Sequence, residues 1–408
     1  MAMTFLRNAA LAAGLMFLAL PAAASTARLA ALGGGDYLDD ERAVLRWYAD
    51  LVDHPNLAVF ELGRFDSGGG GRTWSDDISA QGGGVHARFD EAGRWGTLAA
   101  YFHSRGVEGS AGQVGADYPG GSFSLVYARS HGRLDLGLRF RGTSYAEYGG
   151  TEGSDLSGRE DYRHAFGLGA RWRHGERLSF EIAGEIRDIT QRTVDENRAL
   201  SYLGAGGKDS YALRARARIG LSDAVTLVPL LAYARDICDI YSRQLEDVAD
   251  LDGYLLQAGF GLDLVRDEGD LLVFSAEYRD GKDDQDGIGS LYRAYDTQRR
   301  EWFTILVRVG VEERLLPWLT VRASLQYRRV DDEAVLLLPG QDEPAAYDDS
   351  GSIAVTTPLG LGLTAAAGRF RLDAAYNDQA PLSQATVPDA NAPRETANFV
   401  TVSLSYLF

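Results

Sequence analysis

The sequence predicts an all-β fold: a transmembrane, antiparallel up-and-down β-barrel of about 16 strands, with a short N-terminal helix or plug segment ahead of it. Three observations lead there. Segments of about 9–14 residues alternate polar and apolar side chains at period two. The joins between them are short at one end and long, polar and Gly/Asp/Ser-rich at the other. The chain also opens on an apolar stretch with the marks of an export signal. A soluble antiparallel sandwich alternates too, so the one-sided joins and the export signal decide for the membrane.

Composition agrees. There are 48 Gly but only 3 Met and 11 Pro, which suits many strands and tight turns. With 45% hydrophobic residues and a mean hydropathy of −0.20, the chain lacks the long apolar runs of a helical membrane protein. A net charge of −17 argues against nucleic acid as a partner. Cys238 is the single cysteine, so no internal disulfide forms.

Taken in order, residues 1–24 read as a signal peptide. Arg7 supplies the positive region, Ala9–Leu20 the apolar one, and Ala22-Ala23-Ala24 the small-residue cleavage site before Ser25. Residues 25–56 form a plug or periplasmic segment. Within it Asp39-Asp40 cap an expected helix over Glu41–Leu51, with Ala43, Leu45, Tyr48 and Leu51 as its apolar stripe. About 30 residues are too few for an independent domain.

Residues 57–408 form the barrel. Strands are expected at 57–65, 81–89, 94–105, 121–130, 133–147, 161–173, 176–190, 209–220, 224–237, 251–265, 269–281, 300–313, 317–330, 352–366, 369–377 and 398–408. Loss of one pair would leave 14, also an even number as single-chain bacterial barrels require. Short turns fall at Glu91–Gly93, His131-Gly132, His174-Gly175, Leu221–Asp223, Asp267–Gly269, Leu315–Pro317 and Gly368-Arg369. Leu134, Leu136, Leu138 and Phe140 share one face against Asp135, Arg139 and Arg141 on the other. Tyr101, Tyr127, Trp172, Tyr233, Tyr278, Trp302, Trp318 and Tyr376 stand near strand ends, where interfacial girdles lie.

The last strand carries Val400, Val402, Leu404, Tyr406 and Phe408 on one face and Thr401, Ser403 and Ser405 on the other. It resembles the C-terminal β-signal of Gram-negative outer-membrane proteins. That resemblance implies reading by the barrel assembly machinery, closure against the first strand, and short turns on the periplasmic side. It places the chain in the outer membrane, with lipid, lipopolysaccharide and periplasmic chaperones as partners. The run "ALGGGDYLDDERAVLRWYADLVDHPNLAVFELG" resembles the opening of FadL-type and PorV-type barrels, where the N-terminal segment plugs the barrel and some members carry hydrophobic compounds. The family's Asn-Pro-Ala-Gly motif is missing; His54-Pro55-Asn56 stand near its place.

Candidate lumen residues are Arg171, Arg173, Glu181, Glu185, Arg214, Arg216 and Arg218 on successive strands, with Arg308, Arg322, Arg328 and Arg371 as a second basic group balanced by Asp263, Glu312 and Asp373. They read either as a constriction that biases solute passage or as an ion-pair network filling the interior. Alternating signs on adjacent strands favour neutralisation. Catalysis is not expected. His103-Ser104 and Asp161…His164 lie near extracellular strand ends, but sequence spacing does not bring a nucleophile, base and orienter together. No metal or cofactor motif occurs; Asp283–Gly287 lacks calcium-loop spacing and reads as a loop tip. Gly68–Gly71 and Gly82–Gly84 flank the first extracellular loop and mark flexibility or close backbone approach. The expected role is passage of a small solute, with a FadL-like carrier of hydrophobic compounds or a non-transport assembly or adhesion platform as alternatives.

Overall fold

Among the described residues of the computed structural model, seventeen strands pair in a ring. They are β1 Leu57–Phe65, β2 Ile78–Arg88, β3 Thr97–Arg105, β4 Asp117–His131, β5 Leu134–Gly149, β6 Ser157–His174, β7 Leu178–Asp195, β8 Leu203–Gly220 and β9 Val225–Ser242. There follow β10 Val248–Val265, β11 Leu271–Asp286, β12 Thr297–Leu316, β13 Leu319–Leu337, β14 Ser352–Thr356, β15 Leu359–Ala367, β16 Phe370–Asp378 and β17 Phe399–Leu407. The described residues are 25–33, 36–38, 40–41, 43–65, 78–90, 93–105, 117–149, 157–195, 203–242, 248–266, 270–286, 297–337, 352–378 and 399–408. The expected signal peptide, Gly68–Gly71, Glu91 and the turn Asp267–Gly269 lie outside them.

Sequential neighbours pair antiparallel, and β1 pairs with both β2 and β17, which closes the sheet. β14 and β15 both pair with β13 and are parted at Thr357-Pro358, so they share one place in a 16-strand barrel. Proline lacks the N–H that the ladder needs there. The strand expected over 352–366 is therefore interrupted. Gly132, Gly175 and Gly368 adopt positive φ in the turns of two or three residues, a conformation that costs glycine no steric clash.

The wall is inverted relative to a soluble sandwich. Leu134, Leu136, Leu138, Phe166, Leu168, Phe180, Ile182 and Ile186 are exposed, whereas Asp135, Arg139, Arg171, Glu181 and Glu185 are buried. In water this arrangement would leave apolar area unburied and charge desolvated. In a membrane, lipid covers the apolar face while the inward charges pair within the lumen. At the C-terminus Val400, Leu404 and Phe408 face out and Thr401, Ser403 and Ser405 face in, while Phe408 donates its backbone N–H to Asn56 O at 3.0 Å.

Several expectations change. Glu41–Leu51 is not an α-helix: it holds 3-10 turns at Ala43–Leu45 and Tyr48–Asp53. The short α-helix is instead α1, Thr26–Ala31, capped by Ser25, whose Oγ accepts from Arg28 N–H at 3.2 Å. Trp172, Tyr278, Trp318 and Tyr376 face outward as a girdle requires, but Tyr101 and Trp302 turn inward, because Phe102 and Phe303 hold the outward positions beside them. Gly82–Gly84 lie within β2, and Asp283–Asp286 continue β11, pairing with β12.

Candidate functional site

The lumen holds the N-terminal segment, and the wall is shaped to receive it. Tyr48 seats against Gly137, Gly167 and Gly169; a Cβ on Gly167 would stand 2.3 Å from its ring. Tyr37 lies on Gly259 and Gly261 in the same way, and Ala31 on Gly362. All six glycines occupy inward positions of their strands, where a side chain would otherwise stand. Tyr37, Val44, Trp47, Tyr48 and Leu51 share one apolar cluster with Val126, Ala183 and Val228 of the wall.

Charges fix the segment at two places. At the first, between β12 and β16, Arg28 donates to Glu312 through Nε at 2.7 Å and Nη2 at 3.3 Å. Arg322 donates to the same Glu312 and to Thr364, and reaches Asp373 at 3.3 Å, where Arg371 also donates at 3.0 Å. Between the two places, Tyr37 donates to Glu277 at 3.3 Å beside Arg308 and Arg279.

The second place lies across β5–β8. Arg171 holds Asp50 at 2.7 Å, Asp53 at 2.6 Å and Asp135 at 2.9 Å. Arg173 holds Asp53 at 3.2 Å and Asp135 at 2.6 Å. Arg216 bonds Asp50 and, at 2.7 Å, Glu181, while its guanidinium lies 4.3 Å from the Trp47 ring centre. One layer further in, Glu185 accepts from Tyr48 at 3.0 Å, Arg139 at 3.1 Å and Arg187 at 2.6 Å.

The residues expected in the lumen do face inward, and the opposite charges on neighbouring strands do pair. Arg171, Arg173, Glu181, Glu185 and Arg216 converge at the second place and Arg322 at the first; Arg308 joins Glu277. Arg214, Arg218 and Arg328 each engage a neighbour as well. The N-terminal segment supplies the partners Arg28, Tyr37, Tyr48, Asp50 and Asp53, which no sequence motif marks as site residues. Pairs of inward glycines such as Gly167/Gly169 and Gly259/Gly261 are the signal that could have shown that something fills the gap.

His103 and His164 do not share a site. His103 faces inward, stacked on Tyr101 and 3.9 Å from Glu61, whereas His164 faces outward beside Phe140. The side chains of Ser104 and Asp161 lie outside the description. Tyr101 and His103 lie directly over Gly84 and Gly82, which explains that glycine run by close approach. Among the described residues no group of three or more His, Cys, Asp or Glu is placed to hold a metal.

No family model and no curated protein sequence matches the chain. Among solved structures, CdiB from Escherichia coli is similar at 13% identity and a TM-score of 0.51, over 86% of this chain and 63% of that one. The chain thus spans less than two thirds of that protein's length. The toluene transporter TodX from Pseudomonas putida is similar at 14% identity and a TM-score of 0.42, over 94% and 97% of the two chains. A FadL homologue from Pseudomonas aeruginosa follows at 14% and 0.38, over 95% and 99%. At such identities likeness speaks of fold. The inverted wall and the likeness of fold to CdiB make this chain a β-barrel of the outer-membrane type.

Proposed function

We propose that the protein is a gated passage for small polar solutes across the outer membrane of a Gram-negative bacterium, closed at rest by residues 25–56. The observation that carries this reading is the way the segment is held. Apart from Asn56, which accepts from Phe408 N–H where the segment enters β1, it sits in a charged lumen through side chains, so it can leave without breaking the hydrogen-bond ladder of the barrel. A segment woven into the sheet could not.

The outward row Val400, Val402, Leu404, Tyr406 and Phe408, closing on β1, supports reading β17 as the signal for the barrel assembly machinery. Lipopolysaccharide would contact the outward face near the long loops. No catalytic role is proposed.

Planar-bilayer recording of the refolded protein tests the passage. Ion-selective openings are expected, and replacing Arg214, Arg216 and Arg218 by Gln should move the reversal potential toward cations. A silent barrel would sink the reading, and an unchanged potential would make those arginines structural.

One observation favours a route for hydrophobic compounds. An apolar groove of about 1110 Å³ runs across Phe60, Gly83, Val85, Phe102 and Leu404, on the lipid side of the wall. Transport of a hydrophobic probe into the bilayer without ionic current would favour that route. A platform without transport would keep the lumen ion pairs closed at every voltage and carry neither.

A further inference from the structure

Arg171 and Arg173 on β6 and Arg216 on β8 flank β7 and converge on two carboxylates that do not belong to the sheet. Each guanidinium is also held from the wall, Arg171 and Arg173 by Asp135 and Arg216 by Glu181. The barrel therefore fixes the donors, while the central acceptors, Asp50 and Asp53, arrive on the N-terminal segment. Planar guanidinium forks suit the paired oxygens of a carboxylate or phosphate. With both aspartates gone, three guanidinium groups would face two wall carboxylates, leaving a positive site.

Access differs across the site. The Asp50, Arg171 and Arg216 side chains are buried, but Asp53 is 44% and Arg173 39% exposed. Arg173 stands one residue before the end of β6, so the site opens at the short-turn mouth of the barrel.

We infer that Arg171, Arg173 and Arg216 form a binding site for small anionic solutes bearing carboxylate or phosphate groups, and that Asp50 and Asp53 occupy it as internal stand-ins. This rests on the reading of residues 25–56 as the closure of the passage, and it names the solute class. A solute entering from the short-turn mouth displaces the exposed Asp53 first. Loss of both contacts then frees the segment on this side of the lumen.

Isothermal titration calorimetry on the full-length, refolded protein in detergent tests this with succinate and inorganic phosphate as probes and 1,4-butanediol as the uncharged control. D53N should bind at least one anion about ten-fold more tightly than the unmodified protein, and D50N/D53N more tightly again. Adding R171Q and R173Q to D50N/D53N should abolish the gain. Should D50N/D53N fail to refold, D53N alone decides, because its carboxylate is half in water and its loss buries no unpaired charge. Unchanged anion affinity in a folded D53N barrel overturns the site, as does equal binding of butanediol. Ionic current without anion binding removes the site and keeps the passage. Anion binding by a barrel silent in bilayers removes the passage and keeps the site.

Discussion

The two ionic anchors of the N-terminal segment are built with opposite polarity. At β12–β16 the segment contributes a cation, Arg28, to wall carboxylates, and both partners are buried, at 6% and 5% side-chain exposure. At β5–β8 it contributes carboxylates to wall arginines, and one edge of that site is open to water. Buried pairs cannot exchange with solvent ions and are costly to break from one side, whereas half-exposed pairs are weak and screened. The β12–β16 anchor therefore acts as a clamp, and the Asp53–Arg173 edge of the β5–β8 anchor, outside its buried Asp50–Arg216 pair, as a latch.

Breaking the clamp should have the largest effect. E312Q removes the charge that Arg28 and Arg322 share, and should cost on the order of 3–5 kcal/mol. Urea unfolding in detergent, with proteolysis of the segment as a second probe, would read it. Next comes the shared seat of Tyr48. G167V places a side chain where the Tyr48 ring lies and should cost about 1–3 kcal/mol of docking, seen as faster tryptic cleavage after Arg46. An effect of G167V larger than that of E312Q would reverse the ranking and make packing the principal anchor.

Acidity should tighten the segment between the two anchors. The Glu41 carboxyl is fully buried with no hydrogen-bond partner on either oxygen. Burial first, then the neighbouring Asp40, push it well above the ordinary 4.5, against the pull of Arg371. An acid raised in the docked state stabilises docking below its ordinary value, and that contribution is lost as pH rises through the raised one. Thermal midpoints should therefore fall as pH is raised above 4.5, and E41Q should flatten the dependence. A rise of stability with pH that vanishes in E41Q would contradict this. The smallest effect belongs to the latch edge: D53N should cost no more than about 1 kcal/mol, by the same urea titration.

Strand number and lumen face were legible because repeated period-two segments encode them, as Leu134/Leu136/Leu138 against Asp135/Arg139 and the final strand show. Alternation marks only the part of a strand that crosses lipid, however. β12 and β13 run on to Thr297 and Leu337, beyond the expected 300 and 330, because backbone pairing continues where outward residues such as Glu301 and Arg329 no longer meet lipid. The N-terminal segment misled for a related reason. A surface helix shows one apolar stripe, but a segment surrounded by lumen buries Val44, Trp47, Tyr48 and Leu51 on all sides, so its pattern carries no helical period. Contacts such as Arg28–Glu312 and Asp50–Arg216 join residues far apart in the chain, and no spacing rule could reveal them.

The central claim, that the segment closes the lumen and that its latch yields before its clamp, is tested most directly by single-channel recording of D50N/D53N beside the unmodified protein at matched voltage. The account predicts more frequent and longer anion-selective openings in the double variant, with D53N alone giving a smaller change in the same direction. Indistinguishable gating in the two proteins, whether both closed or both open, would contradict it.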